Sequence, residues 1–300
     1  MVKKAVSASR FILPLYMNKL KGRMLLLPSE DSGKRSEILV VYGQKSTIEK
    51  WLPLCKVLSI YGNVTMPDMP GFGGMDSFYK IHEKPTISNY SDYLAAFIKL
   101  RYKRKKINIV GLSFGFVVVT RMLQDYPELA KKVNLVFCVS GLAHSDDIDL
   151  DNFDLYRNRA FTNILSRNLP ASIYKKAIYH PQIVKLANYL GKTKDYHLEQ
   201  LKLASRRRND IRTEMFTSNQ LLKLDNCQKQ VDLTVYNIIS DIHGNMLDNA
   251  KLEQHLQIIF SKYKAYKLKK TTISNNYELT EEDISAALPK RLVNFLTKLI

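Results

Sequence analysis

The stretch Asn108-Ile109-Val110-Gly111-Leu112-Ser113-Phe114-Gly115 decides the fold. An apolar run suited to a buried strand enters G-x-S-x-G, and Phe114–Asp125 then follows with helical spacing. A serine at the apex of a strand-to-helix turn needs a small residue two places before and two after it. Those glycines let the backbone reverse tightly and lift the hydroxyl clear of the sheet. The same turn presents the backbone N–H of Phe114 where an oxyanion would form. The spacing makes Ser113 a candidate nucleophile, against the plain alternative of a turn serine.

The flanking sequence alternates strands and helices. Phe11–Met17 and Arg23–Pro28 read as two strands joined by a hairpin-like link. Glu37–Tyr42, Asn63–Met66, Ile107–Gly111 and Leu135–Ser140 read as further strands. Ser46-Thr47-Ile48-Glu49 reads as a capping box opening a helix, and Ser88–Arg101 has helical apolar spacing. From His144 to Asn226 no strand is expected, and apolar residues recur at helical spacing in Tyr156–Leu165, Ile183–Leu190 and His197–Leu203. Alternation then resumes with strand Leu233–Ile239, helix Asp248–Phe260, strand Tyr266–Ile273 and helix Leu288–Leu299. The class is α/β, with a mostly parallel sheet flanked by helices. The expected organisation is a core of residues 1–143 and 227–300 with a helical cap, 144–226, inserted.

The 300 residues carry a formal net charge of +18, from 46 Lys and Arg against 28 Asp and Glu. Such an excess can serve a nucleic acid or an anionic membrane surface. It is spread along the chain, however. Residues 144–226 hold 14 basic and 10 acidic side chains, and the rest of the chain is basic as well. The dense runs are Arg101–Lys106, Arg206–Arg208 and five lysines from Lys262 to Lys270. None of them falls in the serine motif. The runs read as solvated surface, and no specific nucleic-acid partner is expected. No apolar run is long enough to span a membrane. Three scattered cysteines fit a reducing compartment, and the N-terminus lacks a secretion signal, so a cytoplasmic location is expected. No Cys or His spacing suggests a metal, no nucleotide loop is present, and no cofactor is expected. Oligomeric state is left open.

Several segments together resemble the α/β-hydrolase fold family, and the likeness runs through nearly the whole chain. Leu39-Val40-Val41-Tyr42-Gly43 resembles its strand leading to a His-Gly oxyanion loop. Asp68-Met69-Pro70-Gly71-Phe72-Gly73 is similar to its D-x-P-G-x-G turn, and Gly111–Gly115 to its nucleophile elbow. Tyr126-Pro127-Glu128 is similar to the end of the helix behind the nucleophile. Ser240-Asp241 falls where the family places its acid. The resemblance implies a serine hydrolase or esterase acting on a small ester or similar carbonyl substrate held under the cap. Ser113 would attack, the N–H groups of Phe114 and Gln44 would hold the oxyanion, and Asp241 would orient the base.

The base is where the chain departs from that pattern. The family's histidine lies on the loop after the last strand, and here Asn275 and Asn276 occupy the place. Asparagine cannot take a proton from serine near neutral pH. The last 45 residues contain no histidine. His144, after the sixth strand, and His243, two residues beyond Asp241, are the candidate substitute bases; both also read as ordinary loop histidines. His82 and His255 read as surface or packing residues, and His180 and His197 fall in the cap. Tyr42 replaces the histidine of the oxyanion loop, and Phe116 replaces a glycine. Two functions therefore stand open: a serine hydrolase with a base from an unusual place, and a catalytically impaired relative that binds a ligand or partner or is structural.

Overall fold

The computed structural model describes residues 8–31, 36–180, 182, 207–239, 247–269 and 280–299. Eight strands form one sheet in the order β1-β2-β4-β3-β5-β6-β7-β8. They are β1 (Ile12–Met17), β2 (Leu20–Leu27), β3 (Glu37–Val41), β4 (Asn63–Pro67), β5 (Ile107–Leu112), β6 (Val133–Val139), β7 (Val231–Ile239) and β8 (Phe260–Lys267). The pairs β1–β2 and β2–β4 are antiparallel, and every other neighbouring pair is parallel. The central strands β3 and β5 are buried at every position, as a parallel sheet covered on both faces requires.

Helices α1 (Ile48–Ser59), α2 (Ile87–Arg101), α3 (Phe114–Asp125) and α4 (Pro127–Ala130) follow in the first half. Between β6 and β7 the described elements are helical: α5 (Asn152–Leu165), α6 (Asn168–Ile178) and α7 (Ile211–Leu221), after a short 3₁₀ turn at Ser145–Asp147. An isolated bridge pairs His144 with Asp225, close to where this segment begins and ends. Helix α8 (Asn249–Ile259) precedes β8, and α9 (Glu281–Ala287) and α10 (Lys290–Leu299) follow it.

Two local expectations are corrected. The capping box at Ser46 does not form. Thr47 is the N-cap and accepts from Lys50 N–H, Ser46 Oγ accepts from the Trp51 indole, and Glu49 is drawn off by arginines. The last strand is Phe260–Lys267, six residues earlier than its expected start at Tyr266. Its lysines therefore lie on an edge strand, where charge blocks pairing with another sheet. The helix expected at Leu288–Leu299 is α10, and α9, capped by Thr280, is an additional helix before it.

Candidate active site

In parallel sheets, functional groups gather beyond the carboxyl ends of adjacent strands. Strands β3 and β5 are direct neighbours, with Val41 opposite Gly111, so Gly43-Gln44 and Ser113 emerge side by side. Ser113 adopts φ 52° and ψ −124°, a region that costs a residue with a side chain about 1–3 kcal/mol. Its backbone N–H donates to Val139 O at 3.0 Å, anchoring the turn to β6. A Cβ on Gly115 would overlap the carbonyl oxygen of Val41, and one on Gly111 would come within 2.7 Å of Phe116 Cα. Both glycines of the motif are thus required by close backbone approach.

A Cβ at position 43 would lie 2.9 Å from Ser113 Cβ and 3.2 Å from Phe114 N. Glycine there leaves open the space in front of the first amide of α3, which has no acceptor within its own helix. The Phe114 ring is wholly buried and meets Tyr90 edge-on at 5.1 Å, and the Tyr90 hydroxyl donates to Pro70 O at 2.5 Å. The Asp68–Gly73 turn thereby buttresses the elbow. The Gln44 side chain is held from the other side. Its Nε2 donates to Thr217 Oγ1 at 2.6 Å, and its Oε1 accepts from Ser218 Oγ at 3.2 Å. Helix α7 is tied to the same turn, with Asp210 N–H donating to Gly71 O and Gly74 N–H donating to Arg208 O.

Tyr42 is committed to a buried network. Its hydroxyl donates to Asp68 Oδ1 at 2.6 Å, while Arg23 Nε donates to Asp68 Oδ2 at 3.0 Å. Arg23 also donates to Gly73 O and pairs with Glu49, which pairs in turn with Arg208 at 2.5 Å. Burial pushes the Asp68 carboxyl up to about 7, against the opposing pull of Tyr42 and Arg23. Burial also works to raise Glu49, but its bonds to Arg23 and Arg208 win and bring it down to about 2. No sequence spacing announces this network, because its partners lie 26 to 159 residues apart.

Of the residues singled out from sequence, Ser113, Phe114 and Gln44 are brought together. Asp241, His243, Asn275, Asn276 and His197 lie outside the described residues. Among the described residues, no imidazole is hydrogen-bonded to Ser113. His144 Nδ1 accepts from the Asp146 N–H at 3.2 Å, and its ring sits 4.8 Å from that of His255. His82 and His180 are exposed.

His255, read from sequence as surface or packing, is instead one half of a tight pair. Its Nδ1 lies 2.6 Å from Oδ1 of the fully buried Asp147, whose Oδ2 accepts from Ala143 and His144 N–H. The residues are 108 apart in sequence, so no local pattern marks them. His144 bridges to Asp225, whose carbonyl accepts from Arg121. Arg121 is eight residues along α3 from Ser113, about 12 Å at helical rise. This histidine–aspartate pair therefore belongs to the junction of the helical segment rather than to the elbow.

Among the described residues, no three His, Cys, Asp or Glu side chains group as metal ligands would, and no helix is long and apolar enough to cross a membrane. No family model matches the chain, and a comparison with curated proteins gives no match. Solved structures do match. The chain is similar to an enol-lactonase from Burkholderia xenovorans LB400, at 15% identity over 95% of this chain and 99% of that one, TM-score 0.63. It is similar to a bacterial membrane phospholipase A, at 12% identity over 96% and 85%, TM-score 0.65. A bromoperoxidase from Bacillus anthracis aligns at 12% identity over 85% and 90%, TM-score 0.58. The chain has the α/β-hydrolase fold. Within that fold the elbow follows β5, Tyr42 follows β3, and the Asp68 turn follows β4. The three neighbours' names denote different chemistries, so the fold alone does not choose a reaction.

Proposed function

We propose that the protein is a serine hydrolase acting on a small ester or similar carbonyl substrate, with residues 144–226 forming a cap over the site. The observation that carries this reading is Ser113 at φ 52° between two glycines that close packing requires. Strain of this kind persists when a function needs it. In this reading Ser113 Oγ attacks the carbonyl carbon, and the N–H groups of Phe114 and Gln44 hold the developing oxyanion. The base passes the serine proton to the leaving group, and water then releases the acyl group. The proposed base is His144 or His243, with Asp241 to orient it. Gln44 joins the core to α7, so the substrate would be enclosed between the elbow and the cap.

The second reading is a catalytically impaired relative that binds a ligand or partner. It draws on Asn275 and Asn276 at the usual histidine position. Removing a triad base costs roughly 10⁴ to 10⁶ in rate.

Labelling by a fluorophosphonate probe separates the two. The hydrolase reading expects labelling of the wild type, none of Ser113→Ala, and loss on either His144→Ala or His243→Ala. The one variant that loses labelling identifies the base. Absence of labelling and of short-chain ester turnover in folded protein would leave the binding reading.

A further inference from the structure

Helices α5 and α6 expose large apolar side chains, although Leu165, Tyr174 and Ile178 pack inward against α7. The inward side of α5 is largely polar. Arg159 donates to Leu222 O from two nitrogens, at 2.5 and 3.1 Å, and Asn219 donates to Arg159 O and to Thr162 Oγ1. Thr162 is buried. The outward side carries Phe153 and Tyr156, at 72% and 76% exposure, with Phe161 and Ile164 also exposed. Helix α6 exposes Leu169 and Ile173 as well, at 76% and 68%. These two helices hold six of the eleven large apolar side chains exposed among the described residues. Phe153, Tyr156, Ala160 and Ile164 fall at three- and four-residue steps, which is one face of a helix; Leu169 and Ile173 repeat the step. Isolated exposed apolar residues are ordinary, but a contiguous face marks a surface that something covers.

The charge around that face selects the occupant. From Phe153 to Ile178 the sequence holds five basic residues and one acid; Arg159 faces inward, Arg157 pairs with Asp154 at 2.6 Å, and Asp151 caps α5 just before this stretch. Arg157, Arg167, Lys175 and Lys176 are exposed. A second copy of this chain would oppose these cations with its own. An anionic lipid surface neutralises them and accepts the apolar side chains between its acyl chains.

We propose that the outward face of α5 and α6 docks the protein peripherally on an anionic membrane surface. The helices lie in the interface, with the aromatic and aliphatic side chains inserted and the flanking cations among the headgroups. Docking of this kind is independent of whether Ser113 reacts.

Sedimentation of the full-length chain with lipid vesicles tests it. Vesicles of phosphatidylcholine containing about one-third phosphatidylglycerol should bind the protein at least about tenfold better than phosphatidylcholine alone, and added salt should weaken binding. Tyr156→Ser with Ile173→Ser should lower that binding at least about tenfold, and Leu169→Ser should lower it independently. Both variants change exposed side chains, and unchanged thermal unfolding verifies their fold. Lys103→Glu with Arg104→Glu, in the distant basic run, should change binding by less than about twofold. Absence of binding to anionic vesicles would overturn the proposal, as would equal binding by the apolar variants. An effect of the Lys103 and Arg104 changes as large as theirs would reduce the interaction to bulk charge and overturn it too. Self-association abolished by Tyr156→Ser and Ile173→Ser, without vesicle binding, would assign the face to a second copy instead.

Discussion

Around Ser113 the apolar side chains Leu112, Phe114, Phe116 and Val117 are all hidden, and the two motif glycines leave no spare volume. On α5 and α6, in the segment joined to that site, six large apolar side chains face outward, while the inward side mixes polar groups with the Leu165 cluster. One chain thus contains a region where sequence is dictated by close packing and another where packing does not account for it. The difference teaches where a substitution should be felt. In the elbow, a single added carbon meets backbone. On the outer face of the helices, removing a whole side chain removes almost no internal contact.

The largest effect should come from forcing that elbow apart. Gly115→Val places a branched side chain against the carbonyl of Val41 on the neighbouring strand. Backbone of a central sheet cannot yield as a flexible side chain can. The expected cost is about 4 kcal/mol or more, seen as loss of cooperative thermal unfolding or of soluble protein. A variant that melts within a few degrees of wild type would mean that the close approach is not tight.

Next in size is the buried carboxylate behind the oxyanion loop. Asp68 titrates near 7 when folded and near 4 when unfolded, because burial penalises its charge. Its folded pKa is the raised one. The stability it contributes is therefore complete below about pH 4 and is lost as pH rises through 7. Asp68→Asn removes this dependence, since asparagine does not titrate. Urea unfolding at pH 5 and pH 8 should show the wild type losing up to roughly 3 kcal/mol relative to the variant over that interval. Glu49, brought down to about 2, contributes stability that is lost only at acid pH, so the window above pH 5 isolates Asp68. A constant difference between the two proteins would mean that Asp68 is ionised throughout.

These two tests also mark how far sequence carries. The elbow is legible because its cause is local: a strand, a turn and a helix within the single stretch Ile107–Asp125, each with its own pattern. In the order of the motifs, Tyr42, Asp68 and Ser113 come directly after β3, β4 and β5. The partners of Asp68 were not legible. Arg23 and Glu49 are ordinary charged residues until the antiparallel β2 brings Arg23 against the Asp68 turn. The start of β8 was misjudged because Phe260-Ser261-Lys262-Tyr263 continues the helical apolar spacing of α8, and only pairing with β7 decides it. His255 was misread for a related reason: its role depends on Asp147, carried in by the turn after β6. Local physics writes itself into the sequence; long-range polar pairing does not.

The inward polar face of α5 offers an intermediate effect. Asn219→Ala removes the amide that donates to Arg159 O and Thr162 Oγ1. The loss should be about 1–2 kcal/mol, the usual cost of leaving partly buried partners unmet. Limited proteolysis should detect it as faster cleavage between α5 and α7. Cleavage at the wild-type rate would imply that apolar contacts such as Leu165 with Ile211 and Met215, which form their own small cluster, hold the helices unaided.

The smallest effect is the sharpest contrast. Ile164→Ser, on the outer face of α5, deletes an apolar side chain that is 55% exposed. A leucine or isoleucine truncated in a core costs about 2–5 kcal/mol, because both burial and packing are lost. At Ile164 much of that burial is absent, and serine is only slightly poorer than isoleucine as a helix former. The change in unfolding free energy should therefore stay within about 0.5 kcal/mol. A loss of 2 kcal/mol or more would show that the face is covered within the chain itself, and the opposition between a packed elbow and an unpacked outer face would fail. A neutral result leaves Ile164 unexplained by folding and confines its cause to what the surface meets.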